Sequence, residues 1–157
     1  MIARFEHALL AAVLIAAAPA LAQEAPVLSV TSDGETRVLT IADLSALPVT
    51  SFETSTIWTE GTHAFEGILL ADLMEAMEME GETVVATALN DYAVEIPVAE
   101  ITDEGPIVAY RMDGAEMSRR GKGPFWILYP FDDVPEFRSE TAYSRSVWQL
   151  DRLSITD

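Results

Sequence analysis

The chain has no cysteine in its 157 residues. That absence excludes disulfides, thiolate metal ligands and cysteine nucleophiles, whatever the redox state of the compartment. Basic residues are scarce as well: nine Lys and Arg stand against 26 Asp and Glu, for a formal net charge of −17. A surface of that sign repels nucleic acid and anionic lipid, so neither is expected as a general partner, while solubility and cationic partners are favoured. Of the two histidines only His63 lies beyond the N-terminal stretch, and one imidazole among charged neighbours gives no basis for a Ser-His-Asp arrangement. Long apolar runs are missing too. The run from Ala8 to Ala18 falls short of the ~20 residues that span a bilayer, and no later stretch approaches that length without a charge or a proline.

The N-terminal run has another meaning. Arg4, the apolar stretch and Ala20-Leu21-Ala22 ahead of Gln23 together form a secretory signal peptide with an A-x-A cleavage site. Residues 1–22 are therefore expected to be removed, leaving residues 23–157 as a single soluble domain, periplasmic or secreted, exported by the general pathway. Removal takes one residue of each sign, Arg4 and Glu6, so the charge is unchanged. No cysteine follows the cleavage site, which excludes a lipid anchor on that residue.

Beyond Gln23 the pattern is one of short strands, with no repeat or linker to divide the chain. "PVLSVTSDGETRVLTI" predicts a hairpin around Asp33-Gly34, and "IADLSALP" a short helical turn closed by Pro48. "VTSFETSTIW" places Phe52, Thr54, Thr56 and Trp58 on one face at strand period. After Gly67, "ILLADLMEAMEME" sets Leu70, Leu73, Met74 and Met77 at helical spacing, with Gly81 as a stop. "TVVATAL" and "YAVEI" flank the turn Asn90-Asp91, Pro97 ends the second, and "VAEI" is a short helix. "PIVAYRM" and "AEMS" make another hairpin around Asp113-Gly114, and "PFWILYP" and "SRSVWQLDRLSI" close the chain as strands. Many short strands with one solid helix predict an α+β fold with mixed or antiparallel sheet.

This order of pieces resembles a known family. "FEGILLADLMEAM", "ATALNDYAVEIP", "IVAYRMDGAEMS", "GKGPFWILYP" and "SVWQLDRLSI" are similar to the successive signatures of the sulfite-oxidase-type molybdopterin-binding domain, over roughly Leu47 to Ile155. The resemblance implies that family's fold and, for catalytic members, molybdenum held by a cysteine thiolate on the segment equivalent to "TSTIWTEGTHAFEG". The nearest positions here are Trp58 and Thr59, an indole that cannot ligate a metal and a hydroxyl that seldom does. The family's histidine before the glycine-proline loop and its arginine after it correspond, counting from Pro124, to Gly121 and Trp126. Exported molybdopterin enzymes cross the membrane folded, behind a signal with paired arginines, whereas this signal has Arg4 alone.

One stretch breaks the acidic background. Arg119, Arg120 and Lys122 lie together in "SRRGKGPFWILYP", shortly after Arg111. With the resemblance, they form a cationic rim at the former cofactor cleft, where Gly121 and Gly123 let backbone N–H groups approach an anion. The alternative is a solvated loop whose charges offset Glu116 and Asp113. Other candidates have equally plain readings. His63 beside Glu60 and Glu66 is structural or exposed rather than a metal ligand. Met74 and Met77 fill core rather than bind copper. The acidic run Asp132, Asp133, Glu136 and Glu140 is a solvated loop without the spacing of a calcium loop. Trp58, Trp126 and Trp148 are core or cleft wall.

The expectation is a non-catalytic exported domain with no cofactor, which binds a small anion or a partner protein at a cleft formed by Trp58, Thr59, Tyr92, Arg111, Arg119, Arg120, Lys122 and Trp126. The alternative is a molybdopterin-dependent oxidoreductase, or an accessory subunit of one, whose molybdenum is held without cysteine.

Overall fold

The computed structural model describes residues 24–157; the expected signal peptide, residues 1–22, lies outside the described residues. The chain begins with an antiparallel hairpin of β1 (Val27–Ser32) and β2 (Glu35–Thr40). Its turn, Asp33-Gly34, has φ of 50° and 77°, the left-handed pair that a two-residue hairpin demands and that Asp-Gly readily supplies. Thr40 then caps α1 (Ile41–Ser45): its hydroxyl accepts from the Asp43 N–H, and the Asp43 carboxylate accepts from the Thr40 N–H at 2.8 Å. β3 (Thr50–Ser55) pairs antiparallel with β4 (Thr62–Leu69), which runs directly into α2 (Leu70–Ala76). β5 (Thr83–Ala88) and β6 (Ala93–Pro97) form a further hairpin, and β7 (Ile107–Met112) and β8 (Ala115–Glu116) another. β9 (Phe125–Leu128), α3 (Glu140–Arg145) and β10 (Trp148–Thr156) complete the chain.

The strands form one mixed sheet in the order β2-β1-β10-β9-β7-β4-β3, with β5 and then β6 attached to β10 and β8 to β7. Among the described residues only the β1–β10 pair is parallel. The α+β expectation therefore holds. β10 has an unusual position, because Leu150 faces Ala88 of β5 on one side and Phe125 of β9 on the other, whereas Leu153 faces Ala86 of β5 and Val30 of β1. One edge belongs to β5 along its length; β9 and β1 divide the other. The division falls at register shifts between Trp148 and Leu150 and between Leu150 and Arg152, the signature of bulges that bend and twist a strand. All four residues of β9 are buried, as expected of a strand covered on both faces.

Three expectations are corrected. The segment Thr62–Leu69, which the sequence did not mark as a strand, is the longest partner of both β3 and β7. Glu66 and Gly67 weaken its β signature, yet Gly67 is needed there: a Cβ would stand 2.2 Å from the Val108 carbonyl oxygen, so only glycine permits this approach of β4 to β7. The last of the closing strands starts later than read, at Trp148 rather than Ser144. Ser139 accepts from the Ala142 N–H and starts α3, with Glu140 in its first turn and Arg145 in its last. Finally, β3 stops at Ser55, so the strand face ends at Thr54 and Thr56 and Trp58 lie in a turn.

The acidic run is also more than a solvated loop at one position. Asp132 accepts from both the Ser55 N–H at 2.6 Å and the Ser55 hydroxyl at 2.8 Å, while its own N–H donates to the Thr54 hydroxyl at 3.1 Å. Arg138 donates to the same carboxylate at 3.1 Å. The Ser55 bonds, with Arg138 adding to them, hold the carboxyl below its ordinary range. This clamp ties the end of β3 to the loop after β9. Asp132→Ala is expected to cost about 1–3 kcal/mol of unfolding free energy, read by urea denaturation, with Asp132→Asn losing less because an acceptor oxygen remains.

Candidate functional site

Four aromatic side chains from separate parts of the chain meet beside the start of β10. Trp58 comes from the turn after β3, Tyr92 from the β5–β6 turn, Tyr143 from α3 and Trp148 from β10 itself; together they wall a cavity of about 310 Å³. No charged side chain lines it. Trp58 is the hub, with ring centroids 5.6 Å from Trp148, 5.9 Å from Trp126 and 6.0 Å from Tyr143, all edge-on. Such pairs place positive ring edges against negative ring faces.

Local chemistry sets each ring. The Thr56 hydroxyl accepts from the Trp58 N–H at 3.1 Å and shares a 2.8 Å hydrogen bond with the Thr59 hydroxyl, a side-chain-closed turn that presents the indole. Thr59 thus serves the turn and does not line the cavity. Asn90 accepts from the Tyr92 N–H at 3.2 Å, and Asp91 between them is left-handed with φ 65°, leaving the Tyr92 ring half in solvent at the rim. The helix that carries Tyr143 is tied to the segment after β6 by an Arg145–Glu100 ion pair at 2.5 Å. Trp126 lies behind these rings, fully buried, its indole N–H donating to the Ser146 carbonyl at 3.2 Å.

Gln149, which nothing in the sequence singled out, organises the other wall. It is left-handed, with φ 51°, a conformation uncommon outside glycine and asparagine. Its N–H donates to the Lys122 carbonyl at 2.8 Å and its carbonyl accepts from the Leu89 N–H at 2.9 Å. Its side-chain amide donates to the Arg119 carbonyl at 2.7 Å and the Gly121 carbonyl at 3.2 Å. One residue therefore fastens the basic loop to β10 and to the β5–β6 hairpin.

The four basic residues do not converge on the cavity. Arg111 faces Glu66 across the β4–β7 ladder and forms an ion pair with it, the guanidinium lying 5.4 Å from the Tyr110 ring centroid. Arg119 and Arg120 line a separate open groove with Glu24, Glu116 and Met117. Lys122 lays its ammonium over Trp148, 4.1 Å from the ring centroid and 5.9 Å from that of Trp126. The expected backbone cradle is absent too, because the N–H groups of Gly121 and Gly123 both donate to the Ser118 carbonyl at 3.0 Å. They close the loop on itself. Among the described residues no cluster of His, Asp or Glu gathers that could hold a metal ion.

His63 is a structural bridge. Its Nδ1 lies 2.7 Å from Asp113 and its Nε2 2.9 Å from the Glu60 carbonyl. Two acceptors facing two ring nitrogens favour the imidazolium, so the Asp113 hydrogen bond raises the pKa from its ordinary 6.5, with the Glu60 carbonyl adding to it. Asp113 is correspondingly lowered by its bonds to His63 and to the Ala64 N–H. The sign follows: the His63 contribution to stability is complete below 6.5 and disappears as pH rises through the raised pKa, while that of Asp113 disappears as pH falls through its lowered one. An NMR titration is expected to place His63 above 6.5, and Asp113→Asn to bring it back down.

A comparison with protein-family models matches residues 16–130 to the family described as the oxidoreductase molybdopterin binding domain. A search of the curated proteins finds no match to the chain. The matched segment contains Trp58, Tyr92, Lys122 and Trp126, and the residues from Tyr143 to Gln149 lie after it. With residues 16–130 of its 157 matched, the chain belongs to the oxidoreductase molybdopterin-binding-domain family.

Proposed function

We propose that this chain is an exported, non-catalytic binding module that keeps the fold of its family without molybdenum chemistry and takes a small ligand in the aromatic cavity. The family implies molybdopterin binding, and the test is whether the residues present suit that group. They do not. A molybdenum centre of the kind the resemblance implies needs a soft thiolate ligand, and the chain has no cysteine. No lining residue offers an imidazole or carboxylate in its place. Where the resemblance implies an arginine, Trp126 is wholly buried with its N–H already engaged by Ser146. The observation that carries the reading is the cavity wall itself: aromatic rings with no imidazole, thiol or carboxylate among them.

The reading is tested by metal analysis with mass spectrometry on protein from its native exported fraction, together with a fluorescence assay for oxidised pterin. Both are expected far below stoichiometric amounts. Near-stoichiometric molybdenum with pterin would overturn the proposal and restore the oxidoreductase, or an accessory subunit of one, with an oxygen ligand near Trp58 and Thr59.

A small anion, or a partner protein presenting one, has a separate place on the molecule. Arg119 and Arg120 line the open groove beside Met117 and Pro124, and neither makes a salt bridge among the described residues. Sulfate is expected to raise the melting temperature of the wild type more than that of the Arg119→Ala/Arg120→Ala double variant. Equal shifts would remove the groove from consideration.

A further inference from the structure

We propose that the aromatic cavity is a cage for a small quaternary ammonium compound of the choline or betaine type; this rests on reading the chain as a binding module and names the ligand class of that module.

Three observations lead there. The first is the wall. Trp58, Tyr92, Tyr143 and Trp148 surround about 310 Å³, the low end of the volumes that small-ligand sites occupy. Tryptophan and tyrosine faces carry the negative part of the ring quadrupole and attract a cation placed over them. A wall of such rings suits a compact, weakly hydrated charge better than a long apolar chain.

The second is what the wall lacks. A primary ammonium brings N–H groups that must be satisfied on burial. Here the lining supplies no carboxylate to pair with it; Asn90 Oδ1 is already engaged by the Tyr92 N–H, and only the neutral Gln149 amide oxygen and the Tyr and Ser hydroxyls are left to accept. A quaternary nitrogen has no N–H, so it asks for no acceptor. An anion would meet no cation in the lining.

The third is electrostatic. The chain carries a net charge of −17, a field that concentrates cations at its surface. The cluster also already holds one: the Lys122 ammonium lies 4.1 Å from the Trp148 centroid. Lys122 is not a lining residue, so it does not fill the cavity, but its charge opposes a second cation nearby. Asp91, in the turn between the lining residues Asn90 and Tyr92, is paired with Arg152 at 2.5 Å. Lys122 is thus the local opponent of the ligand, and its removal has a predicted direction.

The experiment compares choline with 3,3-dimethyl-1-butanol, its uncharged carbon isostere, by calorimetry and tryptophan fluorescence on the full exported protein. Choline is expected to bind at least about tenfold tighter than the isostere, the scale of a desolvated cation–π contribution. Tyr92→Ala, at a half-exposed ring whose loss leaves the core intact, should weaken choline severalfold while Tyr92→Phe retains it. Lys122→Gln should tighten it. Equal affinity for the two compounds, or no effect of Tyr92→Ala, would overturn the cage while leaving a neutral-ligand module in place. No binding of either compound would also overturn it. Molybdenum and pterin in the native protein would instead defeat the binding-module reading itself, so the two failures are distinguishable. Phosphatidylcholine vesicles form a parallel arm: sedimentation of the wild type but not of Tyr92→Ala would mean that the cation is presented on a lipid head group, and a choline response without sedimentation that it is a free solute.

Discussion

The structure depends on β10 having two edges and three partners. β5 runs along one edge; on the other, antiparallel β9 pairs near Trp148 and Leu150 before parallel β1 takes over at Arg152 to Ser154. No straight strand offers one edge to two neighbours of opposite direction without interruption. The bulges at Gln149 and Asp151 supply the bend. At Gln149 the chain is left-handed, and the backbone groups that leave the regular ladder bond to Lys122 and Leu89 instead, so the polar accounting is kept. The cavity follows from this. Trp148 stands just before the bend, and the loop that the Gln149 amide holds carries Lys122 onto the Trp148 ring. A feature required to join the halves of a sheet thereby builds one wall of the aromatic cavity.

The same bend explains which parts were legible in the sequence. The hairpins were plain because Asp33-Gly34, Asp91 and Asp113-Gly114 carry the left-handed conformations that short turns require, between runs rich in strand-forming residues. β4 was hidden because its place in the sheet is fixed by close approach: Gly67 is there for lack of a side chain, which a propensity reading counts against a strand. α3 was hidden by its brevity, one capped turn and a half between apolar segments. Of the site, Trp58 and Tyr92 could be named because the family resemblance marked their segments, and both line the cavity. Tyr143 could not, since it depends on α3. Gln149 has no local signature, because its role comes from the three chain segments that it joins.

Proximity along the chain misled in the case of charge. Arg111 to Lys122 is a cluster in sequence only. The β4–β7 register sets Arg111 opposite Glu66, and the β7–β8 register sets it opposite Glu116, so its charge is met within the sheet. The tight loop that follows sends Arg119 and Arg120 to one groove and Lys122 to another place. A hairpin turns neighbours in sequence away from one another while bringing distant residues face to face. The basic stretch is consequently three separate electrostatic situations, of which only the Lys122 one meets the tryptophan cluster.

Trp126 is not isolated in the core. It packs edge-on against Trp58 and Phe65, with centroids 5.9 and 5.6 Å away, and donates to Ser146 in the segment leading to Trp148. Trp58 in turn contacts Trp148 and Tyr143. Residues packed in this way contribute non-additively. A guanidinium at position 126 would occupy a fully buried place with no carboxylate in the cavity lining to meet it, and an unpaired buried charge is among the costliest changes a core can suffer. Placing an arginine at position 126 therefore requires changing the cluster as a whole. Trp126, Trp58, Trp148 and Tyr143 thus form a mutually supporting set in which each ring stabilises the positions of the others.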